Sequence, residues 1–165
     1  MILICYDGSA DAKAAIEQGA ELLQGQPATV LTVWQPFIEV LAHTPSGFGL
    51  APGMLDFEEI DRAERQSAEE RAEEGAELAR RVGLDAQPRT CSQETTTSEA
   101  ILAEAEALGA NTILMGSRGL TGLRSLLLGS VSHGVIQHAD RTVIVVPSFE
   151  VAASRRPHRD RRALV

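Results

Sequence analysis

The apolar run Thr112-Ile113-Leu114-Met115 passes directly into Gly116-Ser117-Arg118-Gly119, and nine residues later comes Gly129-Ser130. A buried strand that ends in a glycine-rich loop and then opens a helix is how a parallel sheet holds a phosphate. Glycines let the backbone approach an anion closely and take turns that a Cβ forbids. Amides in the loop and in the helix's first turn then point at the anion, aided by the helix dipole. Ser130 adds a hydroxyl where a helix N-cap favours one. The bland alternative is that the glycines merely close a long connection. It leaves the Ser130 hydroxyl without a reason.

The rest of the chain supplies a sheet for such a loop. Met1–Tyr6 is a continuous apolar run of strand length, the pattern of a strand buried on both faces. Asp7-Gly8-Ser9 then reads as a turn and helix N-cap. The helix it opens runs to about Leu23, with Ala12, Ala15, Ile16, Gly19, Leu22 and Leu23 on one face; Gly25 and Pro27 end it. Ala28–Trp34 is the second strand. Residues 35–55, with three prolines and three glycines, read as a mobile loop too long for an ordinary connection. Asp56–Val82 is a long helix with a narrow stripe of Phe57, Ile60, Ala68, Ala72, Gly75, Ala79 and Val82. Its ten acidic residues read as a solvated face laced with pairs such as Glu58–Arg62 and Glu77–Arg81. Ala86–Cys91 is a polar strand whose Pro88 places it at a sheet edge. Thr96 and Glu99 read as a capping box for a helix over Ser98–Leu108. Asn111–Met115, the helix Gly129–His138 and the strand Thr142–Val146 complete the pattern. Five strands alternating with helices require right-handed crossovers and a parallel sheet.

Composition narrows the class. At 165 residues, 44% apolar and 23% charged, the chain is most simply one soluble domain. The net charge of −8 argues against nucleic acid as a partner. That charge is uneven. Residues 148–165 hold five arginines against Glu150 and Asp160, which leaves −11 on residues 1–147. The opening apolar run is too short for a signal peptide, and no stretch approaches a membrane span. No membrane association and a cytoplasmic location are the expectation.

The loop G-x-x-G-x9-G-[S/T] resembles that of the ATP-binding branch of the universal stress protein family. Ile2-Leu3-Ile4-Cys5-Tyr6-Asp7-Gly8-Ser9 resembles the family's first strand with its terminal aspartate. The segment from Gly109 to Gly119 is similar to its fourth strand and loop, and Val143-Ile144-Val145-Val146-Pro147 to its last strand. The likeness covers roughly residues 1–147, least distinctively over 35–56 and 84–96. It implies a single-domain Rossmann-like α/β fold: an open parallel five-stranded sheet, order 3-2-1-4-5, with helices on both faces. Residues 1–147 would form the nucleotide-binding domain and 148–165 a basic C-terminal tail. In that order Cys5 and Cys91 lie on strands separated by a third, roughly 10 Å apart laterally. That exceeds disulfide reach, so both read as small core hydrophobes.

The same likeness implies a binding site at one crevice, because Asp7 and Gly116 would end neighbouring strands. Asp7 would accept from a ribose hydroxyl or an adenine amine, although on its own residues it could equally be a mere helix cap with Ser9. Gly116, Gly119, Gly129 and Ser130 would contact phosphates, with Gly116 also against the ribose. Val33 would meet adenine through its backbone, Met115 would pack on the base or sugar, and Val131 would complete the set. Arg118 and Arg124 bracket the loop as phosphate neutralisers or as plain surface charge. Trp34 either flanks the pocket or faces outward.

Machinery for fast chemistry is missing from the sequence. There is no G-x-x-x-x-G-K-[ST] motif, and Lys13 is misplaced to stand in for its lysine. No carboxylate follows the loop to hold Mg²⁺, which would arrive, if at all, with the phosphates. His43, His133, His138 and His158 form no ligand spacing. The reading is an ATP-binding regulatory homodimer of the stress response, paired through Thr142–Val146 and acting on an unknown protein partner. A slow ATPase and a module for cyclic AMP or another adenine nucleotide are the alternatives.

Overall fold

The computed structural model describes residues 1–42, 56–120 and 128–154. Strand β1 (Ile2–Cys5) leads into helix α1 (Ala10–Leu23), followed by β2 (Pro27–Trp34) and a short α2 (Phe37–Ala42). Then come α3 (Phe57–Arg81), β3 (Asp85–Ser92), α4 (Thr97–Ala107), β4 (Thr112–Gly116), α5 (Ser130–His138), β5 (Thr142–Val146) and α6 (Phe149–Ser154). All pairings are parallel and the strand order is β3-β2-β1-β4-β5. Ile4 of the central β1 pairs with Val30 on one side and Leu114 on the other.

Residues of β1 alternate between two cores, as strand geometry requires. Ile2 and Ile4 pack with Ala15 and Ile16 of α1 and Ala76 and Ala79 of α3. Leu3 packs with Leu31, Ile113, Ile101 of α4 and Val135 of α5. Helices therefore cover both faces. Among the described residues no helix is long and apolar enough to cross a membrane.

Local chemistry explains most boundaries. Ser9 caps α1 by accepting from the Ala12 amide at 3.2 Å, and Asp56 caps α3 from the Glu59 amide at 3.1 Å. Thr96 caps α4 from the Glu99 amide at 3.2 Å, while the Glu99 carboxylate accepts from the Thr95 hydroxyl. Glu77 and Arg81 lie 3.9 Å apart; no ion pair joins Glu58 to Arg62 among the described residues.

Three expectations need correction. The segment after β2 is not all loop, because α2 forms at its start, with the Phe37 amide donating to the Asp61 carboxylate at 2.7 Å; residues 43–55 lie outside the described residues. Leu22 is 73% exposed, since it lies about 100° round the axis from Leu23 and Ala20 takes the buried place instead. Phe57 stacks on Phe37 with ring centroids 5.8 Å apart rather than entering the sheet core. The reason is length: 25 helical residues span about 37 Å, so the first turns of α3 overhang the carboxyl edge of the sheet. After β5 comes α6, whose Val151 is buried; the rest of the expected basic tail, residues 155–165, lies outside the described residues.

Candidate functional site

The strand order reverses at β1 and β4, and the carboxyl ends of these neighbours open a crevice, the usual ligand position in an open α/β sheet. Asp7 lies two residues past β1. Its Oδ1 accepts from the Ser9 amide at 2.9 Å, a turn made easier by Gly8 at φ +81°. Its Oδ2 faces the glycine loop, so that a Cβ built on Gly119 would stand 2.7 Å from it. One oxygen thus holds the turn before α1, while the other is turned toward the glycine loop, and the N-cap itself is Ser9.

From β4 the chain turns into the loop. At Gly116 a Cβ would meet the Asp11 carbonyl carbon at 2.7 Å and the Ala12 nitrogen at 2.8 Å. Glycine is required there chiefly because α1 begins against it. The Gly129 amide donates to the Ser117 carbonyl at 2.8 Å, closing the mouth of the excursion. The N-cap of α5 is Gly129, not Ser130, and makes no side-chain cap bond. This corrects the expected capping role of Ser130, which occupies the first helical position. The first intrahelical bond runs from the His133 amide to the Gly129 carbonyl at 2.9 Å. The amides of Ser130 and Val131 thus precede the helical ladder, where anions bind.

These pieces line one pocket of about 150 Å³. Asp7 enters from β1, Val33 from β2, and Met115 and Gly116 from β4. Arg118 and Gly119 come from the loop, and Gly129, Ser130 and Val131 from the start of α5. All nine residues expected from the sequence meet here. The Arg118 carbonyl also accepts weakly from the Ser9 hydroxyl at 3.4 Å. Arg124, His43 and His158 lie outside the described residues.

Sequence reasoning missed part of the wall. Cys5 and Leu31 pair across β1 and β2 and line the pocket below Val33, a position that strand alternation could have revealed. Thr97 and Ile101 of α4 form another side. They share a helix face at i and i+4, but nothing local says that this face reaches the crevice. Trp34 is not part of this pocket. It points to the opposite face, where the Arg65 guanidinium lies 5.2 Å from its ring centre.

The electrostatics are mild. Burial, with the Asp7 carboxylate and then Cys91 adding to it, pushes the Cys5 thiol up to about 12. Burial and then Glu104 push Cys91 up to about 11. Lys13 sits 3.0 Å from Glu74 on α3 and is not among the residues lining the pocket. Its ammonium holds the Glu74 carboxyl below the usual range. No cluster of metal-ligating side chains occurs among the described residues.

The profile of the universal stress protein family matches residues 1–147. The universal stress protein YxiE of Bacillus subtilis is 30% identical over 146 residues, covering 88% of this chain and 97% of its own. The solved structure of the hypothetical protein MJ0577 of Methanocaldococcus jannaschii aligns with a TM-score of 0.69 at 25% identity, over 88% of this chain and 94% of that one. A universal stress protein of Archaeoglobus fulgidus, solved in complex with dAMP, aligns at TM-score 0.58 and 21% identity, over 88% and 95% of the two chains.

Proposed function

Because the chain belongs to the universal stress protein family, we propose that it binds ATP in this pocket and acts in the cytoplasm as a nucleotide-dependent regulatory homodimer. The observation that carries the reading is convergence. Residues from β1, β2, β4, the glycine loop and the start of α5 line a single pocket at the switch point. The pocket is graded to suit the ligand, with Leu31, Val33 and Met115 for a base at one end. At the other end, glycine backbone and the first turn of α5 suit phosphates. Asp7 lies between β1 and the loop, where a ribose hydroxyl can donate to Oδ2. The dAMP complex of the Archaeoglobus fulgidus relative supports adenine nucleotides as the ligand class. Any Mg²⁺ would come with the phosphates, since the pocket presents Asp7 as its one carboxylate among the described residues.

Assembly follows from the other edge of the sheet. Among the described residues strand β5 pairs only with β4, and this outer-edge strand carries Val143, Ile144 and Val145, all half-buried. A bare apolar edge of this kind invites pairing, and a second copy would extend the sheet across a two-fold axis. Titration calorimetry with ATP and with cyclic AMP tests the ligand, and light scattering tests the dimer. Tighter binding of cyclic AMP than of ATP, or a monomer at micromolar concentration, would overturn the corresponding half of the reading.

A further inference from the structure

We propose that Ser117, anchored by the buried carboxylate of Asp11, is the positioning residue of the phosphate loop; the proposal rests on the ATP-binding reading above. Ser117 is 2% exposed, and four of its bonds reach three different elements. Its amide donates to the Val146 carbonyl at 2.9 Å, at the end of β5. Its hydroxyl donates to Asp11 Oδ2 at 2.7 Å, in the first turn of α1. Its carbonyl accepts from the Gly129 amide at 2.8 Å and from the Ser132 hydroxyl at 2.9 Å, at the start of α5.

Two features separate this network from ordinary packing. Asp11 is 6% exposed, and burying a carboxylate costs several kcal/mol unless it is well bonded. The first turn of α1 offsets part of that cost through its dipole, and the Ser117 hydroxyl offsets more. A fold that needed only a filled space here would use alanine. Moreover, the flanking Gly116 and Gly119 have no side chains with which to hold the loop. Ser117 is the residue of Gly116–Gly119 whose side chain is locked into the interior. It sets the separation between the loop and the amides of Ser130 and Val131, the two sides between which phosphates would lie. Preorganisation of that kind raises affinity by removing an ordering cost. It should matter for the phosphate end and not for the base, whose walls come from β2, β4 and α4.

The test is the ratio of ATP affinity to adenosine affinity, measured by calorimetry on the full chain for the wild type, Ser117→Ala and Ser132→Ala. Ser117→Ala should weaken ATP about tenfold, as expected for a lost hydrogen bond with a buried acceptor left behind. Ser132→Ala should weaken it in the same direction but less, because its hydroxyl is shared with the Gly129 carbonyl at 3.0 Å. Adenosine affinity should stay within about twofold in both. If Ser117→Ala does not fold, Ser132→Ala decides by the same ratio, since alanine is at home in a helix. Equal losses for ATP and adenosine, or an unchanged ratio, would overturn the positioning role alone. A wild-type chain that binds neither ligand would overturn the ATP-binding reading and this proposal with it.

Discussion

Asp7 and Gly119 are 112 positions apart by number, yet Asp7 Oδ2 lies 2.7 Å from the place a Gly119 Cβ would take. The glycine is there because the carboxylate is. Gly119→Ala should therefore push the Asp7 carboxylate out of place with little loss of stability, because the obstructing atom ends a side chain. ATP affinity should fall about tenfold. Asp7→Ala should weaken binding too, and the double variant should be no worse than the poorer single one, since the two act through one contact. Calorimetry on the four proteins measures this, and additive losses would separate the two residues.

Gly129 works differently. A Cβ there would stand 3.5 Å from Arg118 Cα and 3.8 Å from the Gly119 nitrogen, ordinary contacts. Gly129→Ala should fold normally, whereas Gly129→Val should fill the space between the loop and α5 and abolish ATP binding. Ser130→Ala should cost only about 0.5–1.5 kcal/mol of binding, one hydrogen bond. Wild-type affinity in Gly129→Val would remove the loop from the phosphate site.

The frame was readable because buried parallel strands are continuous apolar runs, so Ile2–Cys5 and Thr112–Gly116 announce themselves. Pro88 likewise placed β3 at the edge, where it is found. Site residues were readable where they sit on motif positions of strand ends and loops. Those hidden were set by tertiary packing. Thr97 and Ile101 reach the pocket only because α4 packs on β2 and β3 beside α5. Helix α2 forms in a proline- and glycine-rich stretch because Asp61 of α3 takes the Phe37 amide. In the sequence Asp11 is one more acidic residue in a first helical turn, and it is the approach of Ser117 that distinguishes it.

The tail divides at α6. Removal of residues 155–165 should leave ATP affinity within a few-fold, because the described residues that line the pocket all lie between Cys5 and Ser132. Truncation from Phe149 onward should lower stability by about 1.5–3 kcal/mol, the value of burying an aliphatic side chain such as Val151. Chemical denaturation and ATP titration of both truncations check this. Loss of binding on the shorter truncation would show that the tail closes the site.

Both cysteines should be inert in the folded protein. The thiolate is the nucleophile, and values of about 12 for Cys5 and about 11 for Cys91 leave roughly 10⁻⁴ and 10⁻³ of each ionised at pH 8. Iodoacetamide should label them far more slowly in the native than in the unfolded chain. The sign of the linkage follows: the fold holds these protons more tightly than the ordinary value of 9.0. Their contribution is complete below about pH 9 and declines as pH rises toward their folded values. Rapid native labelling of Cys5 at pH 8 would contradict the raised value.

Hydrolysis of ATP should be slow or absent. Rapid phosphoryl transfer needs cations on the leaving oxygens and a group that orients the attacking nucleophile. The pocket offers backbone amides, the Ser130 hydroxyl and Arg118 at the phosphate end, while Lys13 is engaged with Glu74. Asp7 keeps one oxygen on the Ser9 amide and directs the other at Gly119, at the ribose side of the expected ligand. Donors that hold ground-state phosphates as well as a transition state tighten binding without accelerating chemistry. On the proposed reading the nucleotide is a signal rather than a substrate. Phosphate release at the ~1–10³ s⁻¹ common among enzymes, lost in Gly129→Val, would make the protein an ATPase instead.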